Sequence, residues 1–187
     1  MISIRVFAES SLEWYEGAIV LEGKQVRVGQ IAFQPRYDVV LLKTTDGPVQ
    51  VYPAHRIVSF NFYDAIENIN RKFISLADSR VGFEAYSFYE VVLHGDVTIL
   101  RQARGYINSG ISEEDEFDFF TWHELKLTPL KQFRDKIYPM IMDYNYAMMH
   151  SYKKQEQLNP NRPADAIRLV RYYNKLVTLE ATPIASR

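Results

Sequence analysis

The feature that most constrains this chain is a change of hydrophobic period. From Trp14 to Leu127 apolar residues come in short segments separated by turn residues, often alternating with polar ones as in half-buried strands. Beyond Thr128-Pro129 the period becomes about 3.6. Leu130, Phe133 and Ile137 share one helical face, and Ile167, Val170, Tyr173 and Val177 share another. This order predicts an α+β, mainly β fold: an antiparallel meander forming a small sandwich or partial barrel, followed by two or three C-terminal helices on one side or across an open end. At 187 residues the chain has the length of one ordinary domain, enough to bury roughly 70% of its unfolded surface. No linker or repeat divides it. The reading is a single domain over 1–187, β-rich over about 12–127 and helical over about 128–180.

Individual segments follow from turn chemistry. Trp14 to Leu21 reads as a strand, Glu22-Gly23-Lys24 as a turn and Val26 to Phe33 as the partner strand. Its apolar parity switches across Gly29-Gln30, which predicts a β-bulge there. Strands are expected over Tyr37 to Thr44 and Val49 to Tyr52, and Val58, Phe60 and Phe62 predict one buried face. Residues 64–83 carry both a helical spacing, Ile66, Ile69 and Phe73, and a strand-like run, Phe73 to Leu76. Ala85 to Leu93 and Val97 to Leu100 flank His94-Gly95-Asp96, which predicts an in-register hairpin with a type II′ turn. A loop at 105–116 precedes a last strand, Phe117 to Leu127. Pro139 marks a helix start, Met140 to Gln157 a second helix, and Asn161 and Pro163 the start of the final one.

Several chemistries are excluded by the residues themselves. Cysteine is absent, which removes disulfides, thiolate nucleophiles and sulfur metal sites. The eight glycines make no dinucleotide fingerprint, Gly23-Lys24 lacks the Ser/Thr of a P-loop, and neither a G-x-S-x-G elbow nor H-E-x-x-H occurs. The four histidines, His55, His94, His123 and His150, form no local metal pair. Glu113 to Glu116 with Asp118 is acidic but lacks the alternation and turn glycine of a calcium loop. No cofactor and no metal are expected. No apolar run reaches membrane-spanning length, so an integral membrane protein is not expected. The net charge of −1 argues against nucleic acid as a partner. That average hides an asymmetry. Residues 1–125 hold 11 Lys+Arg against 18 Asp+Glu, a charge of −7, and residues 126–187 hold 11 against 5, a charge of +6. Either the basic helices dock on the acidic β part or they offer a charged surface to a partner.

Three sets of residues stand out. Tyr86, Phe88, Tyr89, Phe119 and Trp122, with His123, are the candidate ligand-binding set, placed to line the mouth of a partial barrel that carries a small molecule or lipid. Arg168, Arg171 and Lys175 recur at i, i+3 and i+7 on the last helix and form the candidate partner-binding stripe. Glu90, His123 and Glu124 could serve a hydrolase only if the fold brings them together. Met140, Met142, Met148 and Met149 with Tyr144 and Tyr146 could form an adaptable groove or pack against the sheet. No catalytic set is named by a motif.

The ordered features Glu16-Gly17 before Ile19-Val20-Leu21, Arg36-Tyr37-Asp38, Pro53 with Ile57 and Phe60, Phe88-Tyr89-Glu90-Val91 running to Gly95 and Leu100, and Tyr172-Tyr173-Asn174 resemble uncharacterised exported β-rich proteins common in Bacteroidetes-type bacteria. The resemblance spans about 12–176 and carries no assigned reaction. It implies a periplasmic or envelope-associated location, with a cytoplasmic one left open, and makes Val6-Phe7-Ala8 readable as the tail of a secretion signal, whereas the residues alone slightly favour a first β-strand or a frayed terminus at 1–8. The resulting expectation is a non-catalytic binding protein of the cell envelope. Its partner would be an unidentified protein or small molecule, with homo-oligomer formation open.

Overall fold

A computed structural model describes residues 12–45, 47–78, 85–104 and 117–181. Ten strands and four α-helices lie among them, and the chain forms two compact units, residues 1–88 and 89–187. The division falls inside one strand rather than at the change of period.

The first unit contains β1 (Tyr15–Leu21), β2 (Val26–Gln34), β3 (Val39–Lys43), β4 (Gln50–Pro53), β5 (Ile57–Asp64) and β6 (Ile69–Asp78). They pair antiparallel in the order β6-β5-β1-β2-β3-β4, an open arrangement that does not close into a barrel. Ile19, Ile31, Val40, Leu42, Phe60 and Phe73 build its core, together with Phe62 and Phe88. The rings stack closely: Phe60 lies 4.6 Å from Phe73, nearly parallel, and meets Phe88 edge-on at 5.0 Å. Such packing carries about 3–5 kcal/mol per ring against truncation to alanine.

The local expectations meet corrections here. The β1–β2 register runs through Gly29 without a shift, so no bulge sits there in that pair. Gly29 faces Gly17 directly, and a Cβ on it would lie 2.5 Å from the Lys43 carbonyl oxygen, so close strand approach explains the glycine. The irregularity falls in β5, where the partners step from Val20–Ser59 to Leu21–Ile57 and Val58 is left over. Val58 is therefore turned out, 51% exposed, while Phe60 and Phe62 are buried as their alternation predicts. Residues 69–78 form strand, not helix, entered through Asp64. Its carboxylate accepts from the Ile66 and Glu67 N–H groups, each at 3.1 Å, and from Arg71 Nε at 2.8 Å. These bonds hold Asp64 below the usual carboxylate range, the Arg71 side chain contributing most. Asp38, left-handed at φ 48°, accepts from Ser87 Oγ and the Phe88 N–H, both at 3.0 Å.

The strand β7 (Ala85–Leu93) continues into the second unit, which adds β8 (Thr98–Ala103), β9 (Phe117–His123) and β10 (Lys126–Pro129) in the order β7-β8-β9-β10. Strand β10, like β4, has four residues and ends in proline, a combination that discourages further strand pairing. The expected single strand from Phe117 to Leu127 is a hairpin instead. Glu124 and Leu125 take φ of 48° and 61°, the two left-handed positions of a tight primed turn, without the Asn-Gly pair that signals one. The β7–β8 connection also differs from expectation. Gly95 does not take positive φ, and the register shifts between Val91 and Leu93. The expected loop at 105–116, the acidic residues 113–116 and the signal-like residues 1–8 lie outside the described residues.

The helices are α1 (Phe133–Lys136), α2 (Tyr138–Tyr144), α3 (Tyr146–Gln155) and α4 (Pro163–Ala181). The predicted helix from Met140 to Gln157 breaks at Asn145, whose side chain caps α3 by accepting from the Met148 N–H at 3.3 Å. Phe133, Ile137, Ile141, Met149, Leu169 and Val170 pack with Val97 and Ile99, so the helices cover one face of these strands. Of the two predicted placements, on one side or across an open end, this is the first.

Candidate functional site

The predicted ligand-binding aromatics do not form one set. Phe88 is buried against Phe60 and Phe33, whereas Tyr86 in the same strand is 42% exposed. In the second unit Tyr89 is fully buried and meets Phe120 edge-on at 5.5 Å. Strand alternation puts Phe119 and His123 on the opposite face of β9 from Phe120 and Trp122. Phe119 accordingly packs with the helices, while Trp122 is half-buried. Glu90 is paired with Arg101 at 2.7 Å, and Arg101 lies 4.3 Å over the Phe117 ring. This ion pair has both partners largely buried, a structural role for the carboxylate.

What the fold does assemble around His123 is a polar cluster at the β7–β8 turn. Asp96 Oδ2 accepts from the Tyr173 hydroxyl at 2.7 Å and lies 3.4 Å from His123 Nε2. Burial, and then the bond to Asp96, raise Tyr173 well above an ordinary phenol, so it is held as a donor rather than a base. Tyr144 meets Tyr173 edge-on at 5.2 Å and donates to Glu180 at 2.5 Å. Beside them, Asn174 accepts from the Val97 N–H at 3.0 Å and donates to its carbonyl at 2.8 Å. A Cβ on Gly95 would sit 2.2 Å from Asn174 Nδ2, so only glycine fits beneath the amide. Among the described residues no group of three or more His, Asp and Glu side chains could hold a metal ion. The cluster fastens a turn to α4. Sequence reasoning singled out His123 but missed Asp96, Tyr173 and Asn174, which only the fold brings to it.

The basic stripe divides. Arg168 pairs with Glu156 and reaches Asp165 at 3.9 Å. Arg171 and Lys175 are exposed and make no ion pair among the described residues. They lie four residues apart, one helical turn along α4, and their charges project from the same face. Tyr172, next to Arg171, stacks on Tyr152 of α3 at 4.0 Å, which ties the helix carrying the stripe to its neighbour. Among the described residues no helix is long and apolar enough to cross a membrane. Comparison of the chain with protein-family models, curated proteins and solved structures gives no match.

Proposed function

We propose that this chain is a non-catalytic binding protein of the bacterial cell envelope that engages an acidic surface of another protein through α4. The observation that carries the reading is the pair Arg171 and Lys175, exposed on one helical face without ion pairs among the described residues. Charges left unpaired on a rigid, packed helix steer a partner of opposite sign and select against others. Of the groups that a hydrolase would use, Glu90 is paired with Arg101 and His123 lies beside Asp96, while Glu124 is exposed in the β9–β10 turn. The envelope setting is supported by the residue pattern shared with exported β-rich proteins. A photo-reactive residue at position 175, expressed in the native host, tests both parts. The expected result is a dominant adduct in the envelope fraction, cross-linked through a segment rich in Asp and Glu. Adducts spread evenly over many proteins, or a cross-linked segment without acidic residues, would contradict it.

A further inference from the structure

We propose that the groove along the exposed face of α3 binds a small oxyanion, a carboxylate or phosphate group carried by a small molecule. A cleft of about 450 Å³ is lined by His150, Ser151, Lys153, Lys154, Gln157 and Leu158, within the ~300–1,000 Å³ typical of small-molecule sites. Every polar side chain in this lining can donate a hydrogen bond or carries a cation, and no carboxylate joins them. Several members are held in place. The His150 ring stacks on Tyr146 at 3.9 Å, Lys153 Nζ lies 5.4 Å over the Tyr138 ring, and Leu158 is buried. Lys154, between them, makes no ion pair among the described residues.

The backbone removes the main objection to an anion at this place, which is the negative end of α3. Gln157 takes a left-handed φ of 51°, its N–H donates to the Lys154 carbonyl at 3.3 Å, and the Leu158 N–H donates to the Lys153 carbonyl at 3.0 Å. This Schellman arrangement occupies terminal carbonyls that would otherwise repel the ligand. Two lysines would suffice to offset the helix dipole, and His150, Ser151 and Gln157 add further donors to a recess whose walls are otherwise largely apolar.

The inference rests on α3, and the proposed function rests on Arg171 and Lys175 of α4, so separate variants distinguish them. The test is an NMR titration of the full chain with inorganic phosphate and, separately, with succinate. Saturable shifts are expected at the amides of His150, Lys154 and Gln157, with a Kd in the range of about 1–10 mM. K154Q weakens binding about fivefold or more, whereas R171Q/K175Q leaves it unchanged. Saturation by phosphate alone identifies a phosphate-bearing ligand, by succinate alone a carboxylate, and by both a site for either. No saturable shift with either anion would overturn the proposal. So would wild-type affinity in a folded K154Q, or an equal loss in R171Q/K175Q, which would reduce the effect to a general positive field.

Discussion

Asn174 grips Val97 by both ends of its amide, its Oδ1 accepting from the N–H at 3.0 Å and its Nδ2 donating to the carbonyl at 2.8 Å. One side chain on α4 thereby replaces a strand partner for Val97, the residue immediately before β8. Removing it strands a buried donor and a buried acceptor. N174A is expected to cost about 2–4 kcal/mol, read from the denaturation midpoint at unchanged m-value.

Gly95 reports on the same grip from below. G95A places a methyl group 2.2 Å from Asn174 Nδ2 and is expected to cost about 1–3 kcal/mol. Combined with N174A the penalty should shrink, because the clashing amide is gone. A double-mutant cycle measures this coupling, and strict additivity would show that the two residues act independently.

The hairpin between β9 and β10 can be improved. Glu124 and Leu125 both sit in the left-handed region, and Leu125 is 88% exposed, so little packing is lost by replacing it. E124N/L125G supplies the residues that this turn geometry favours and should stabilise the protein by about 1 kcal/mol, measured as a rise in Tm.

Acid should weaken the turn into β6. The Asp64 pKa is lowered in the folded protein, with Arg71 as the first cause, so its contribution is full above the unfolded value, near 3.8, and is lost as pH falls through the lower folded one. D64N should be less stable than the parent at neutral pH by about 1–2 kcal/mol. That difference should narrow as pH drops below about 4, which chemical denaturation across pH would follow.

Alkali acts with the opposite sign on the phenols. Tyr15 is pushed up to about 12 by its bond to Glu13, and Tyr173 and Tyr144 are also raised. A raised folded pKa gives stability that is complete below the unfolded value, about 10, and is lost as pH rises through the folded one. Phenolate absorbance should show these tyrosines ionising late, and Y173F should remove one late step.

The meander and the helical tail were legible because alternation and the 3.6-residue period are local properties. The Val58 bulge was not, since a register shift belongs to the pair β1–β5 and leaves no mark in one strand. The Glu124-Leu125 turn escaped for a different reason: neither residue advertises the left-handed conformation it adopts. Asn145 did advertise itself, as a cap three residues before Met148, and so did the opposite facing of Phe119 and Trp122, which their odd separation already implies. Asp96 and His123 are 27 residues apart in sequence, and no local pattern joins them to Tyr173. Several of the residues singled out in the sequence prove to be structural fasteners: Asp38 on Phe88, Glu90 on Arg101, Tyr173 on Asp96 and Asn174 on Val97.

The central claim is that α4 presents cations to an acidic protein surface, and equilibrium binding of the purified chain to poly-L-glutamate tests it most directly. The account predicts salt-sensitive binding that R171E/K175E weakens about tenfold or more, while the control reversal K24E/R27E, at the β1–β2 turn, leaves it unchanged. Equal affinity for the parent and R171E/K175E, or equal loss in the two reversals, would contradict it.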